Sequence, residues 1–405
     1  MIQIGKIEKT CILAFCVRLI ALIFIVMFVN DVSIGFYGSD NIGLDDCRYL
    51  AGAESYLNNA TSVIDVDCFT KSFEQLGDST GYIMNEPTST PLWYWIVCVV
   101  SYFTRTTVSV RLLNILFATA SVFYFYSFTN LLYGEKVALL SSRLLAFLPY
   151  PVLFSCFAYK DSFLMYCSFF ILYGAMLYQK NGKIGKVRLF IIILLSIAML
   201  KTRSGLSALF LAVAFLVAFK KYVSKINIRN LIISLILVTI AGLIVYKSSS
   251  TLIYKMNYYF ERSSRTVTGP IRHIMITKVS DIYKLPLCYI LSVVEPIGIP
   301  DSITCWGDIT ELFFPLMVPI SIGSFLYMFT RKKQNAYTFW LCMGVYLATI
   351  TASLTNIRHF YSMLPITFAA FSNYVIDIKG VKRLLFAVVC LGSIIMLCAL
   401  YMFTH

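Results

Sequence analysis

Apolar stretches of about 15–25 residues recur along the whole chain, parted by short charged clusters. Nothing else in the sequence restricts the fold so strongly. In lipid such a stretch finds no water for its backbone N–H and C=O groups. It must therefore close its own hydrogen bonds as a helix. A β-barrel would also close every bond, but it needs ten-residue segments of alternating polarity, which the sequence lacks. Composition agrees. Charged residues make up 13% of the 405, where a soluble domain carries about 25%.

Spans are read at 11–29, 108–132, 137–157, 161–179, 187–200, 204–219, 229–246, 309–330, 336–354, 360–376 and 384–403. The first resembles a signal sequence, but it is too long and lacks a small-residue cleavage site, so it reads as an uncleaved span. Basic clusters at 180–188, 220–229, 331–335 and 377–383 mark the cytoplasmic side. The N-terminus then lies inside. Loop 31–86, the Lys160–Asp161 turn, Lys201–Arg203, loop 247–308 and the Arg358–His359 turn lie outside. Three apolar segments separate loop 31–86 from Lys160, and both ends are outside, so one segment does not cross. The 89–103 piece is the shortest and carries Pro91, Trp93 and Trp95, and Trp favours the interface. The expectation is one all-α polytopic membrane domain over 1–405 with about eleven transmembrane helices. Region 31–107 forms a first extracytoplasmic loop with juxtamembrane helices, and 247–308 a second.

The net charge of +14 does not point to nucleic acid, because the basic clusters sit at helix ends, where they set topology. Of the twelve cysteines, nine fall in apolar runs, where Cys acts as a small hydrophobe. No CxxC or Cys/His spacing suits a metal. Cys47 and Cys68 could pair if their loop faces an oxidising compartment.

Loop 31–86 holds ten of the twenty acidic residues. Most read as solvated. The run Asp45-Asp46-Cys47-Arg48-Tyr49 stands apart, because it opens a helical pattern continued by Ala53, Tyr56 and Leu57. Two readings stay open. An acidic pair can cap a helix start, or it can present a general base at the membrane surface. The pair could also hold a divalent metal such as Mg or Mn, since hard cations take carboxylate oxygens. Further features are Pro91-Leu92-Trp93-Tyr94-Trp95, Arg111-Leu112-Leu113-Asn114, Pro149-Tyr150-Pro151, Tyr159-Lys160-Asp161-Ser162, Lys201-Thr202-Arg203, and Arg358-His359-Phe360-Tyr361 with Leu364-Pro365. Lys160, Lys201, Arg203 and Arg358 all fall on the expected outer face, against the positive-inside trend. Snorkelling at helix ends is one account; an anionic lipid phosphate is another.

In their order and spacing these motifs resemble the multispanning GT-C glycosyltransferases. The likeness is closest to the mannosyltransferase and aminoarabinose-transferase branch, which uses polyprenyl-phosphate sugars. It covers roughly residues 10–205 and continues in outline. It departs where the family often shows His-Pro-Pro and this chain has Ser89-Thr90-Pro91. The resemblance implies a polyprenyl-phosphate-linked sugar donor, a glycolipid or polysaccharide acceptor, and a bacterial inner membrane with the site facing the periplasm. It implies Asp45 as the catalytic acid of the first loop, with Asp46 as the next candidate and Asp161 as a second acidic residue. Arg48 and Tyr49 match lipid-phosphate contacts, and Lys160, Lys201, Arg203, Arg358 and His359 are further candidates. If a metal takes part, Asp45, Asp46 and Asp161 are its candidate ligands.

Two other functions fit the composition. A polysaccharide polymerase or ligase would use the Arg and His residues of loop 247–308. A lipid-linked sugar flippase would bury ionisable residues near the bilayer midplane, yet spans 336–354 and 384–403 carry no charge and span 229–246 only Arg229 at its first position.

Overall fold

A computed structural model of the chain describes residues 5–28, 45–78, 91–220, 283–294, 309, 312–330, 335–353 and 361–404. All regular structure among the described residues is helical. The order is α1 (Lys6–Phe28), α2 (Asp45–Asn59), α3 (Val66–Asp78), α4 (Pro91–Thr104), α5 (Val108–Tyr133), α6 (Glu135–Phe147), α7 (Pro149–Phe154), α8 (Asp161–Asn181), α9 (Lys186–Thr202), α10 (Ser204–Ala218), α11 (Leu285–Val294), α12 (Phe314–Met328), α13 (Ala336–Ser353), α14 (Pro365–Asp377) and α15 (Val381–Thr404). Segments within α1, α5, α8 and α15 are long and apolar enough to cross a membrane. At 1.5 Å per residue the 26 residues of α5 reach about 39 Å, beyond the roughly 30 Å of a hydrocarbon core. Other apolar helices, in α4, α10, α12 and α13, are shorter. The expected span 229–246 lies outside the described residues.

Helix α2 is described from Asp45 onward. It buries Tyr49, Leu50, Ala53 and Tyr56, one helical face, and packs that face on α4. The Tyr56 hydroxyl donates to the Val63 carbonyl at 3.0 Å and accepts the Asp65 N–H at 2.9 Å, closing the turn into α3. Asp65 caps α3. Its carboxylate accepts the N–H of Cys68 at 2.9 Å and both the N–H and the hydroxyl of Thr61. Those donors hold the carboxyl below the usual carboxylate range. Phe69 of α3 stacks on Trp95 at 4.1 Å, and Tyr94 donates to Ser72 at 3.0 Å, so α2, α3 and α4 form one unit. Cys68 is a free thiol, so the pairing with Cys47 is not formed.

The sequence read 137–157 as one span, but the chain breaks it. Leu148 is extended (φ −62°, ψ 137°), which separates α6 from α7. A residue before proline is pushed out of the helical region, and Pro149 suits the first position of the next helix. A second difference lies in 247–308, expected as a polar loop. It contains the apolar helix α11, which packs on α12 and α13. A ten-residue apolar run is too short to register as a span. Tyr289 of α11 donates to Ser324 of α12 at 2.8 Å, and Ser321 donates back to the Ile290 carbonyl at 2.7 Å.

Contacts sort the helix ends into two sets. At one end Lys6 meets Glu135 at 3.4 Å, Asn335 donates to the Leu132 carbonyl at 2.8 Å, and Tyr178 packs on Phe219. At the other end α4, the start of α5 and the start of α8 converge. Helices α5 and α8 run from one set to the other.

Candidate functional site

The second end is built around the turn from Ser155 to Lys160, between α7 and α8. It is irregular backbone, yet Ser155, Cys156, Phe157, Ala158 and Tyr159 are buried. Buried carbonyls outside a helix need donors from elsewhere, and two residues, Asn114 and Trp93, donate to them, while Arg18 donates to a hydroxyl of the turn. Asn114 of α5 donates through Nδ2 to the carbonyls of Phe157 and Tyr159, the latter at 2.7 Å. Trp93 of α4 donates through Nε1 to the Ala158 carbonyl at 3.0 Å. Arg18 of α1 donates through Nε to Ser155 Oγ at 3.1 Å. Around the turn, Arg111 lies over the Phe157 ring at 5.3 Å, and Phe154 stacks on Tyr159 at 4.7 Å. Tyr361 packs against Phe154 and donates to the Pro151 carbonyl at 3.3 Å.

The turn delivers Asp161 to the first position of α8, where the helix dipole favours a carboxylate. Asp161 is only 1% exposed. Its Oδ1 meets Arg203 Nη1 at 3.4 Å, and the arginine side chain keeps 22% of its surface exposed. Arg203 reaches it because it sits at the break between α9 and α10, with extended backbone (φ −156°, ψ 86°). Helix α9 runs back along α8, so residue 203 returns to the level of residue 161. Each side chain thus meets the other at a helix boundary that its own local sequence sets.

Six of the features singled out in the sequence meet here: Trp93, Arg111 with Asn114, Pro151, Lys160–Asp161, Arg203 and Tyr361. Lys160 is half-buried beside Asp161, and Lys201 is exposed two residues before Arg203. Tyr49 is buried on the face that α2 turns to α4. Asp45, Asp46 and Arg48 form the first turn of α2, but their side chains lie outside the described residues, as do Arg358 and His359. Of the expected metal ligands only Asp161 has a described side chain. Asp161 faces a guanidinium, and no group of three or more His, Cys, Asp or Glu gathers among the described residues.

Two parts of the site escaped the sequence reading. Arg18 was visible as the one charge inside the apolar run 11–29, which is itself a signal. Its partners are mostly backbone carbonyls, which leave no mark in a sequence. Asn114 was noted within a motif, but its task depends on a turn forty-three residues away. The sequence matches no protein-family model and no curated protein.

Proposed function

We propose that the chain is a membrane glycosyltransferase that moves a sugar from a polyprenyl-phosphate donor to an envelope glycolipid or polysaccharide acceptor on the extracytoplasmic face. The observation that carries this reading is the Asp161–Arg203 pair at 3.4 Å, held at one end of the bundle with Lys160 and Lys201 nearby in sequence. A guanidinium set beside a buried carboxylate, with 22% of its side-chain surface exposed, suits a phosphate.

The roles divide by access. Asp161 is too buried for an acceptor hydroxyl to reach. Its task is to hold Arg203. The base is then the first-loop acid, Asp45. It takes the proton of the acceptor hydroxyl as that oxygen bonds to the anomeric carbon. The bond from that carbon to the phosphate oxygen breaks, and its electron pair leaves on the polyprenyl phosphate. Arg203, Lys160 and Lys201 stabilise that anion.

The test uses membranes holding the full chain, a radiolabelled polyprenyl-phosphate sugar and the native acceptor. Asp45→Asn is expected to abolish transfer, and Asp78→Asn to leave it unchanged. Arg203→Ala is expected to raise KM for the lipid donor more than it lowers kcat. Full activity of Asp45→Asn or of Arg203→Ala would overturn the reading. A lengthening repeat-unit ladder would point to a polymerase.

A further inference from the structure

Arg18 is fully buried in α1 and takes no part in the chemistry above. Its contacts explain why a charge lies inside an apolar span. In an unbroken helix the N–H of residue 149 would serve the Leu145 carbonyl. Pro149 has none. The extended Leu148 also ends α6, so the Ala146 carbonyl falls among the last-turn acceptors that a helix leaves unserved. Arg18 supplies both. Nη2 donates to Leu145 O at 2.9 Å and Nη1 to Ala146 O at 2.9 Å. Nη1 also donates to Ala14 O at 3.1 Å within its own helix. The guanidinium sits at the negative end of the α6 dipole, where a cation is favoured.

The same group reaches across the break. Nε donates to Ser155 Oγ at 3.1 Å, and the Cys156 thiol points to the Arg18 carbonyl at 3.5 Å. Ser155 and Cys156 open the turn that ends at Asp161. One planar fork therefore grips the end of α6 and the start of the turn at once. A lysine, with its donors on a single nitrogen, does not reproduce that geometry.

We infer that Arg18 is a positioning residue: by joining the α6 end to Ser155 it fixes where the buried turn delivers Asp161 to Arg203. This role rests on the reading of that pair as part of the transfer site, but its first test is independent of activity. In membranes holding the full chain, Asp161→Cys and Arg203→Cys are combined and treated with a short bifunctional thiosulfonate. Mass spectrometry of the linked peptide gives the yield, normalised to the amount of protein. With Arg18 in place the link is expected to form. With Arg18→Lys or Arg18→Met the yield is expected to fall at least fivefold. If Arg18→Met does not accumulate, Arg18→Lys alone decides. Unchanged yield in Arg18→Lys would overturn the inference.

In the transfer assay, with the native Asp161 and Arg203, Arg18→Lys is expected to raise donor KM. The two failures separate. A fall in cross-linking in a chain that transfers no sugar supports the positioning role and overturns the transferase reading. Constant cross-linking in an active chain does the reverse.

Discussion

The Asn114 amide nitrogen, inside an apolar helix, donates to two carbonyls of the 155–160 turn, while its Oδ1 has no hydrogen-bond partner among the described residues. Both acceptors are buried where no helix serves them. Removing the donor takes a hydrogen bond from each, and losing a buried bond costs about 1–3 kcal/mol. Asn114→Leu is similar in size, so a loss in thermal midpoint in detergent would report the lost bonds rather than a cavity. Asn114→Asp should be at least as harmful, because a carboxylate there faces two acceptors with nothing to donate. Stability equal to wild type in both variants would show that the turn does not depend on this residue. Trp93 serves a single carbonyl, Ala158, and shares its apolar contacts with Phe163. Trp93→Phe should therefore cost less than Asn114→Leu, by the same measurement.

At the scale of elements, the sequence was most legible where local chemistry sets a boundary. Lys201-Thr202-Arg203 marked the break between α9 and α10. It was least legible where a boundary is satisfied from elsewhere, as at Leu148, whose broken helix end is served by α1. The capped turn between α2 and α3 gives a pH test. Hydrogen bonds lower the Asp65 pKa in the fold, so its contribution is complete above the unfolded carboxylate pKa, about 3.9. It is lost as pH falls through the folded value. Limited proteolysis between 59 and 66 should accelerate only at acid pH, and Asp65→Ala should make it fast already at neutral pH. Acid-independent cleavage of the wild type would refute the cap. Close packing gives a second test. A Cβ on Gly323 of α12 would lie 2.6 Å from Cδ2 of Phe371 on α14 and 3.2 Å from Phe386 on α15. Gly323→Ala should cost about 1–3 kcal/mol of thermal stability by overpacking, and Phe371→Leu should recover much of it.

For the whole molecule, the decisive property is that the contacts sort helix ends into two sets, since two solvents lie on the two sides of a membrane. The basic clusters of the sequence lead one to expect which side is cytoplasmic. The sequence could not supply the pairings, because these join residues 41 to 210 positions apart. Helix α4 shows how the two kinds of information combine. Its start, through Trp93, bonds Ala158, and its other end turns into α5, whose second turn bonds the same buried segment. Both ends of α4 therefore belong to the set that holds Asp161, and α2 packs along it. Exposed positions make this testable in a background without other reactive thiols. Glu54→Cys, Arg105→Cys and Lys201→Cys should label with a membrane-impermeant reagent from one side, and Glu135→Cys and Lys183→Cys from the other. Arg105 and Glu135 flank α5, so their labelling from one side would mean that α5 does not cross. Labelling of Glu54 from the side of Glu135 would mean that α4 does, and the first loop would then lie across the membrane from the Asp161–Arg203 pair, where it could supply no base to a donor held there.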